Sequence, residues 1–130
     1  MARASGRTVS AETGALLGGL ADRARTLEAK LREREAASTL SGRARDRVLI
    51  ALDRVWIDED GLPGRTWYRN LYAAPDENSG YAAWMLPGLR RAVELGDENA
   101  MRAEARRLAA ALDRLDRLSA PLSAPEENAR

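Results

Sequence analysis

The 130 residues are 45% hydrophobic and 32% charged, which fits one domain of ordinary size with a single core under a heavily ionised surface. With 21 basic and 20 acidic residues the formal net charge is +1, so no bulk field draws the chain to nucleic acid or to an anionic membrane. Histidine and cysteine are both absent, which excludes a Ser-His triad, thiol catalysis, disulfides and the usual ligands of a catalytic zinc. The residue types therefore point to no catalytic residue, no metal site and no cofactor.

Chain order gives four helices. The basic start, Met1 to Arg7, lacks the apolar core of a signal peptide, and no run approaches the roughly 20 apolar residues needed to cross a bilayer. Leu16, Leu20, Ala24, Leu27 and Leu31 then recur at spacings of three and four. That predicts a helix over about 11–37, with Ser10 as N-cap and Glu12 in the first turn. Gly14, Gly18 and Gly19 weaken its early turns by up to about 1 kcal/mol each, so that end frays or something packs closely on it. A second helix over about 42–58 shows Val48, Leu49, Leu52, Val55 and Trp56 on one side, and Gly61, Pro63 and Gly64 stop it. Pro87, suited to a first helical position, opens a third over 87–95 that ends at Gly96. Asp97 caps a fourth over 98–119, where Met101, Ala105, Leu108, Leu112 and Leu115 make a heptad-like stripe. Residues 1–120 form the expected domain, and 121–130, rich in Pro, Ser and Glu, the expected disordered tail. Strand signals are poor and no repeat is present. The expected fold is all-α, an up-down four-helix bundle with a long loop between helices two and three.

That loop does not read as a linker. All six aromatic residues, Trp56, Trp67, Tyr68, Tyr72, Tyr81 and Trp84, fall inside it or at its edge. Structureless connections beyond about 12–15 residues are uncommon in compact domains, and large rings favour burial. The rings are expected to pack the loop back onto the bundle.

The loop also resembles a known family. Trp56-Ile57-Asp58, then Gly61-Leu62-Pro63, Trp67-Tyr68-Arg69 and Tyr72-Ala73-Ala74-Pro75 follow a pattern of aromatic-Ile-Asp, Gly-Leu-Pro, aromatic-Tyr-Arg and Tyr-Ala-Pro. Gly80-Tyr81-Ala82 and Leu86-Pro87-Gly88-Leu89 are similar to that pattern's Lys-Tyr-Ala and Phe-Pro-Gly-Ile. Together these pieces, in order over some forty residues, resemble the C-terminal helical domain of the transferrin receptor and glutamate carboxypeptidase II family. The resemblance implies a four-helix domain that supports homodimerisation and packs on a zinc peptidase domain. It also implies that the loop enters the peptidase cleft, where a Lys-Tyr pair holds the substrate's terminal carboxylate. Tyr81 matches the tyrosine; Gly80, preceded by Ser79, stands where the lysine would be. A phenol can still donate one hydrogen bond there, but the stronger charge-assisted contact is gone.

Other charged groups give less. Asp58-Glu59-Asp60-Gly61 lacks the spacing and closing Glu of a calcium loop. Asp53 with Asp58, and Glu94 with Asp97, sit at helix ends where carboxylates cap or are solvated. Arg102, Arg106 and Arg107 with Glu104 make a mixed-charge helix face. The leading reading is a non-catalytic interaction module that pairs with itself or with a zinc peptidase domain. Its expected interface residues are Leu16, Leu20, Leu108, Leu112 and Leu115. The rival is one part of a split peptidase, whose aromatic loop completes a partner's substrate pocket through Tyr81.

Overall fold

Three helices lean on a fourth. The computed structural model describes residues 8–123, and among them α1 (Ala11–Ala36), α2 (Gly42–Arg54) and α3 (Pro87–Leu95) each pack against α4 (Glu98–Ser119). Between α2 and α3 lie two short strands, β1 (Ala73–Pro75) and β2 (Ala83–Met85), and a 3-10 turn, Ala120–Leu122, follows α4. The described chain is mostly helical.

Polar contacts at both ends set the direction of α1 on α4. Ser10 caps α1 by accepting from the Thr13 amide at 3.3 Å, and its own amide and hydroxyl donate to Glu98 at 2.8 and 2.5 Å. Thr13, fully buried, donates to the same carboxylate at 2.8 Å. Further along, Arg23 pairs with Asp113, and Lys30 and Arg34 reach Asp116 at 2.9 and 2.8 Å. N-terminus thus meets N-terminus, and the two long helices run parallel.

The other two helices run the opposite way. Arg45 near the start of α2 reaches back to Glu35 at 3.0 Å, while the Val55 carbonyl at its end accepts from Arg114 at 3.0 Å. Gly88 at the start of α3 lies against Glu104, and Gly96, in the left-handed region, turns α3 directly into the Asp97 cap of α4. Taken in order the helices run up, down, down, up. Strict alternation, as expected from the sequence, would set the first and fourth antiparallel. The difference arises because the aromatic segment does not reverse the chain. It carries it on along α4, so that α2 and α3 follow one another down the same rod.

That segment supplies most of one buried cluster at the centre of the core. Leu62, Leu71, Ala74 and Leu108 form this cluster, with Leu20, Trp56, Tyr68, Leu86 and Leu89 packed round it. Full burial of one such leucine is worth about 1.5–3 kcal/mol. Short backbone ladders hold the segment: the Leu71 amide donates to the Trp56 carbonyl, and the Asp58 amide to the Arg69 carbonyl, at 2.8 and 2.9 Å. Gly61 turns the chain with φ +71°, and a side chain there would collide with the Thr66 backbone. The strands pair antiparallel, Ala73 with Met85, Ala74 with Trp84 and Pro75 with Ala83. They escape a pattern reading because three residues are too few to show a two-residue alternation.

Two boundaries differ from expectation. α2 ends at Arg54 rather than near Asp58, because Val55 and Trp56 belong to the aromatic segment although they prolong the apolar pattern. Past residue 120 the chain is still ordered, and Leu122 is buried beneath α1 and α2. The rest of the expected tail, 124–130, and the segment 1–7 lie outside the described residues. No helix among the described residues is long and apolar enough to cross a membrane.

Candidate interaction surfaces

The loop joining β1 to β2 is built around one carboxylate. Asp76 follows Pro75 and accepts from the amides of Asn78, Ser79 and Ala82 at 3.2, 2.8 and 3.1 Å, and from the Ser79 hydroxyl at 2.8 Å. The Ser79 amide and hydroxyl, with the Ala82 and Asn78 amides, hold this carboxyl far below the usual carboxylate range, because each favours the charged form. Gly80, at φ +72°, completes the reversal. At the tip stands Tyr81, 96% exposed, with its amide donating to the Ser79 hydroxyl at 3.2 Å. The hairpin is anchored below the tip: Arg65 donates to the Pro75 carbonyl at 2.6 Å, and Glu77 pairs with Arg91 at 2.7 Å.

The other rings divide into buried and exposed, with Trp67 still beside Tyr68 at 6.1 Å between centroids. Trp84 is buried with Arg90 over its face at 4.5 Å, and Tyr68 is half-buried beneath Arg65 at 5.0 Å. Trp56 meets Tyr72 at 5.3 Å between centroids. Trp67, expected to pack, is instead 71% exposed, and Tyr72 is also exposed. Gly61 and Gly64 bend the chain tightly, and the residue that enters the core from this turn is Leu62.

The expected interface leucines also divide. Leu108 and Leu112 are 5% and 8% exposed, taken up by the chain's own core, and so offer no surface to another chain. The heptad stripe of α4 faces α1 and the aromatic segment. Leu115 is half-buried. Leu16 is exposed and Leu20 half-buried, and both line an open groove of about 330 Å3 between α1 and α4, floored by Gly19, Ala105 and Ala109. A second groove, about 470 Å3, runs between α2 and the end of α4. Ile50, Ala51, Val55 and Leu118 line it, and Arg47, Arg54 and Arg114 stand at its rim.

Sequence reasoning missed three structural carboxylates. Glu98 latches α1 to α4, and the Ser10 hydroxyl and amide, then Thr13, hold its carboxyl below the usual range. Glu104 is buried against Gly88, 2.9 Å from Arg107. Asp58 accepts from the Asp60 amide at 2.9 Å and from Arg107 at 3.3 Å, so the acidic run is a turn pinned to α4. Burial pushes the Asp58 carboxyl up, but these two donors outweigh it and the net shift is downward. An Asp two residues before a free amide, as in Asp58-Glu59-Asp60 and Asp76-Glu77-Asn78, was the available signal. The contacts of Glu98 and Glu104 are long-range and leave none. Among the described residues no three carboxylates gather as a metal site would need.

The family profile described as transferrin receptor-like dimerisation domain matches residues 17–118. The chain belongs to this family. A Schizosaccharomyces pombe protein described as an inactive zinc metalloprotease is 36% identical to it over 66 residues, which is 51% of this chain and 8% of that protein. The dimerisation domain thus spans a small fraction of the relative's length. No solved structure matches the chain. Surfaces left uncovered by the chain's own packing include the hairpin tip with Tyr81 and these grooves along α4.

Proposed function

We propose that this chain is a non-catalytic helical module that works by assembly, pairing with a second copy of itself or with a zinc peptidase domain. The observation that carries the reading is the chain's membership of the dimerisation-domain family, together with the apolar surface left outside its core. Ile50 and Leu118 are exposed in the groove between α2 and α4, Leu16 in the one between α1 and α4, and Leu49 and Val93 are exposed on α2 and α3. Large apolar side chains gathered on helix faces mark association surfaces more often than isolated ones do. In this reading a partner's helices complete the four-helix packing that α1 to α4 leave open on the outer side of α2. Light scattering on the chain at micromolar concentration tests it: a dimer is expected, and a strict monomer that also fails to bind a peptidase domain of the family overturns it.

One observation favours a second role. Tyr81 is held at the tip of an ordered hairpin yet touches almost nothing in its own chain. Such a side chain is placed to enter a cleft on another protein. The substrate of that protein would meet a phenol without the lysine, because Gly80 offers no charge. Co-expression with a peptidase domain, assayed with Tyr81 and with Tyr81→Phe, tests this. Loss of the hydroxyl should raise KM for substrates with a free terminal carboxylate, and an unchanged KM removes the role.

A further inference from the structure

α2 stands apart from the other helices. It spans 13 residues and none of them is buried. Isolated helices of this length are marginal in water, so most of their stability comes from packing an apolar face. α2 half-buries Val48, Ala51 and Leu52 against the rest of the chain, but Leu49 and Ile50 point outward, 42% and 54% exposed, and Leu118 of α4 continues the apolar strip beside Ile50. Arg47 and Arg54 lie one on each side of Ile50, exposed, with no carboxylate partner among the described residues. Arg114, the third rim residue, donates to the Val55 carbonyl.

Beside this groove is a surface of opposite charge. After Val55 the chain turns through Ile57, Glu59 and Asp60, all exposed, and neither Glu59 nor Asp60 has an ion-pair partner among the described residues. The turn is fixed to α4 by Arg107 on Asp58 and on the Gly61 carbonyl at 2.7 Å. Arg107 and Arg114 are seven residues apart, on one face of α4. Basic groove and acidic turn are therefore neighbours on the same side of the molecule. An interface across a twofold axis must be complementary to itself, each copy offering both halves. A surface that is basic and apolar in one half and acidic and apolar in the other meets that condition.

We propose that this surface is where two copies of the chain meet, with Arg47 and Arg54 of each copy facing Glu59 and Asp60 of the other. Ile50, Ile57 and Leu118 fill the space between. The inference rests on the self-association reading above and names the surface that performs it. It moves the contact away from Leu108 and Leu112, which the core already occupies.

Charge exchange tests the pairing, measured by sedimentation equilibrium on the full chain at low salt. The wild type is expected to dimerise. Reversing the basic half (Arg47→Glu with Arg54→Glu) should weaken the dimer by about tenfold or more, since the twofold repeats every lost pair and turns it repulsive. Reversing the acidic half (Glu59→Arg with Asp60→Arg) should do the same. The four substitutions together should restore the dimer to within a few-fold of wild type. Circular dichroism melts keep folding out of the comparison, because all four side chains are exposed. A wild-type monomer overturns the self-association reading and this surface with it. A dimer indifferent to both reversals overturns the surface alone. Weakening without restoration by the fourfold variant overturns the proposed pairing.

Discussion

α4 and α2 look alike as sequences, each an amphipathic run with charges between apolar residues, yet one is the centre of the molecule and the other lies on its outside. α4 buries Met101, Ala105, Leu108, Ala111 and Leu112, and takes contacts from every other helix. α2 buries nothing. The difference teaches that an apolar stripe states a need for a partner without saying whether the partner lies in the same chain. For α4 the aromatic segment meets that need, since Leu62 and Leu71 arrive from a turn with no helical pattern.

The contrast can be broken at its strong end. Leu108→Ala removes a side chain from the middle of the core cluster, and a loss of about 2–5 kcal/mol in urea unfolding is expected. A loss below about 1 kcal/mol would mean that α4 is not the centre of the core. Gly88→Ala comes next. A methyl group at that site collides with Oε2 of the buried Glu104 carboxylate, which must shift while its Oε1 faces Arg107, so about 1 kcal/mol is expected by the same measurement.

Acid should separate the two helices by a different route. Glu98 and Asp116, which tie α4 to α1, both have carboxyls lowered in the folded state, Glu98 by the Ser10 and Thr13 hydrogen bonds and Asp116 by Lys30 and Arg34. A lowered folded value means that their stabilisation is complete above the ordinary carboxylate value of about 4 and fades as pH falls through the folded values. Thermal melts from pH 7 downward should show Tm falling in that acid range, and less steeply for Glu98→Gln. An identical fall in that variant would remove Glu98 from the account. At the weak end, Ile50→Ala in a dilute, monomeric sample should change stability by no more than about 0.5 kcal/mol, since its side chain is largely exposed in the single chain. Amide exchange in a dilute, monomeric sample should run faster through α2 than through α4.

What was legible in the sequence follows the range of each interaction. The caps at Ser10 and Asp97 and the Pro87 start act within four residues, and the structure shows them where those residue types put them. Asp58 and Asp76 turns are equally local. The helix directions were not legible, because Arg23–Asp113 and Arg34–Asp116 join residues more than eighty apart. Which leucines are core and which surface was also hidden. Leu108 and Leu16 occupy similar stripes, and only the position of the aromatic segment sends the first inward and leaves the second beside a groove. Trp67 is a ring expected to pack, and its exposure follows from a turn shaped by Gly61 and Gly64; Tyr81, which the resemblance marks as a pocket residue, stands exposed just past Gly80.

The Asp76 clamp has an entropic consequence for whatever meets Tyr81. Fixing a residue's backbone takes roughly 1–2 kcal/mol from any binding event that must do it. Here the four donors to one carboxylate fix the hairpin tip while the chain folds, before any partner arrives. A partner that received Tyr81 would meet a backbone already in place, with only the rotamers of the exposed ring left to fix.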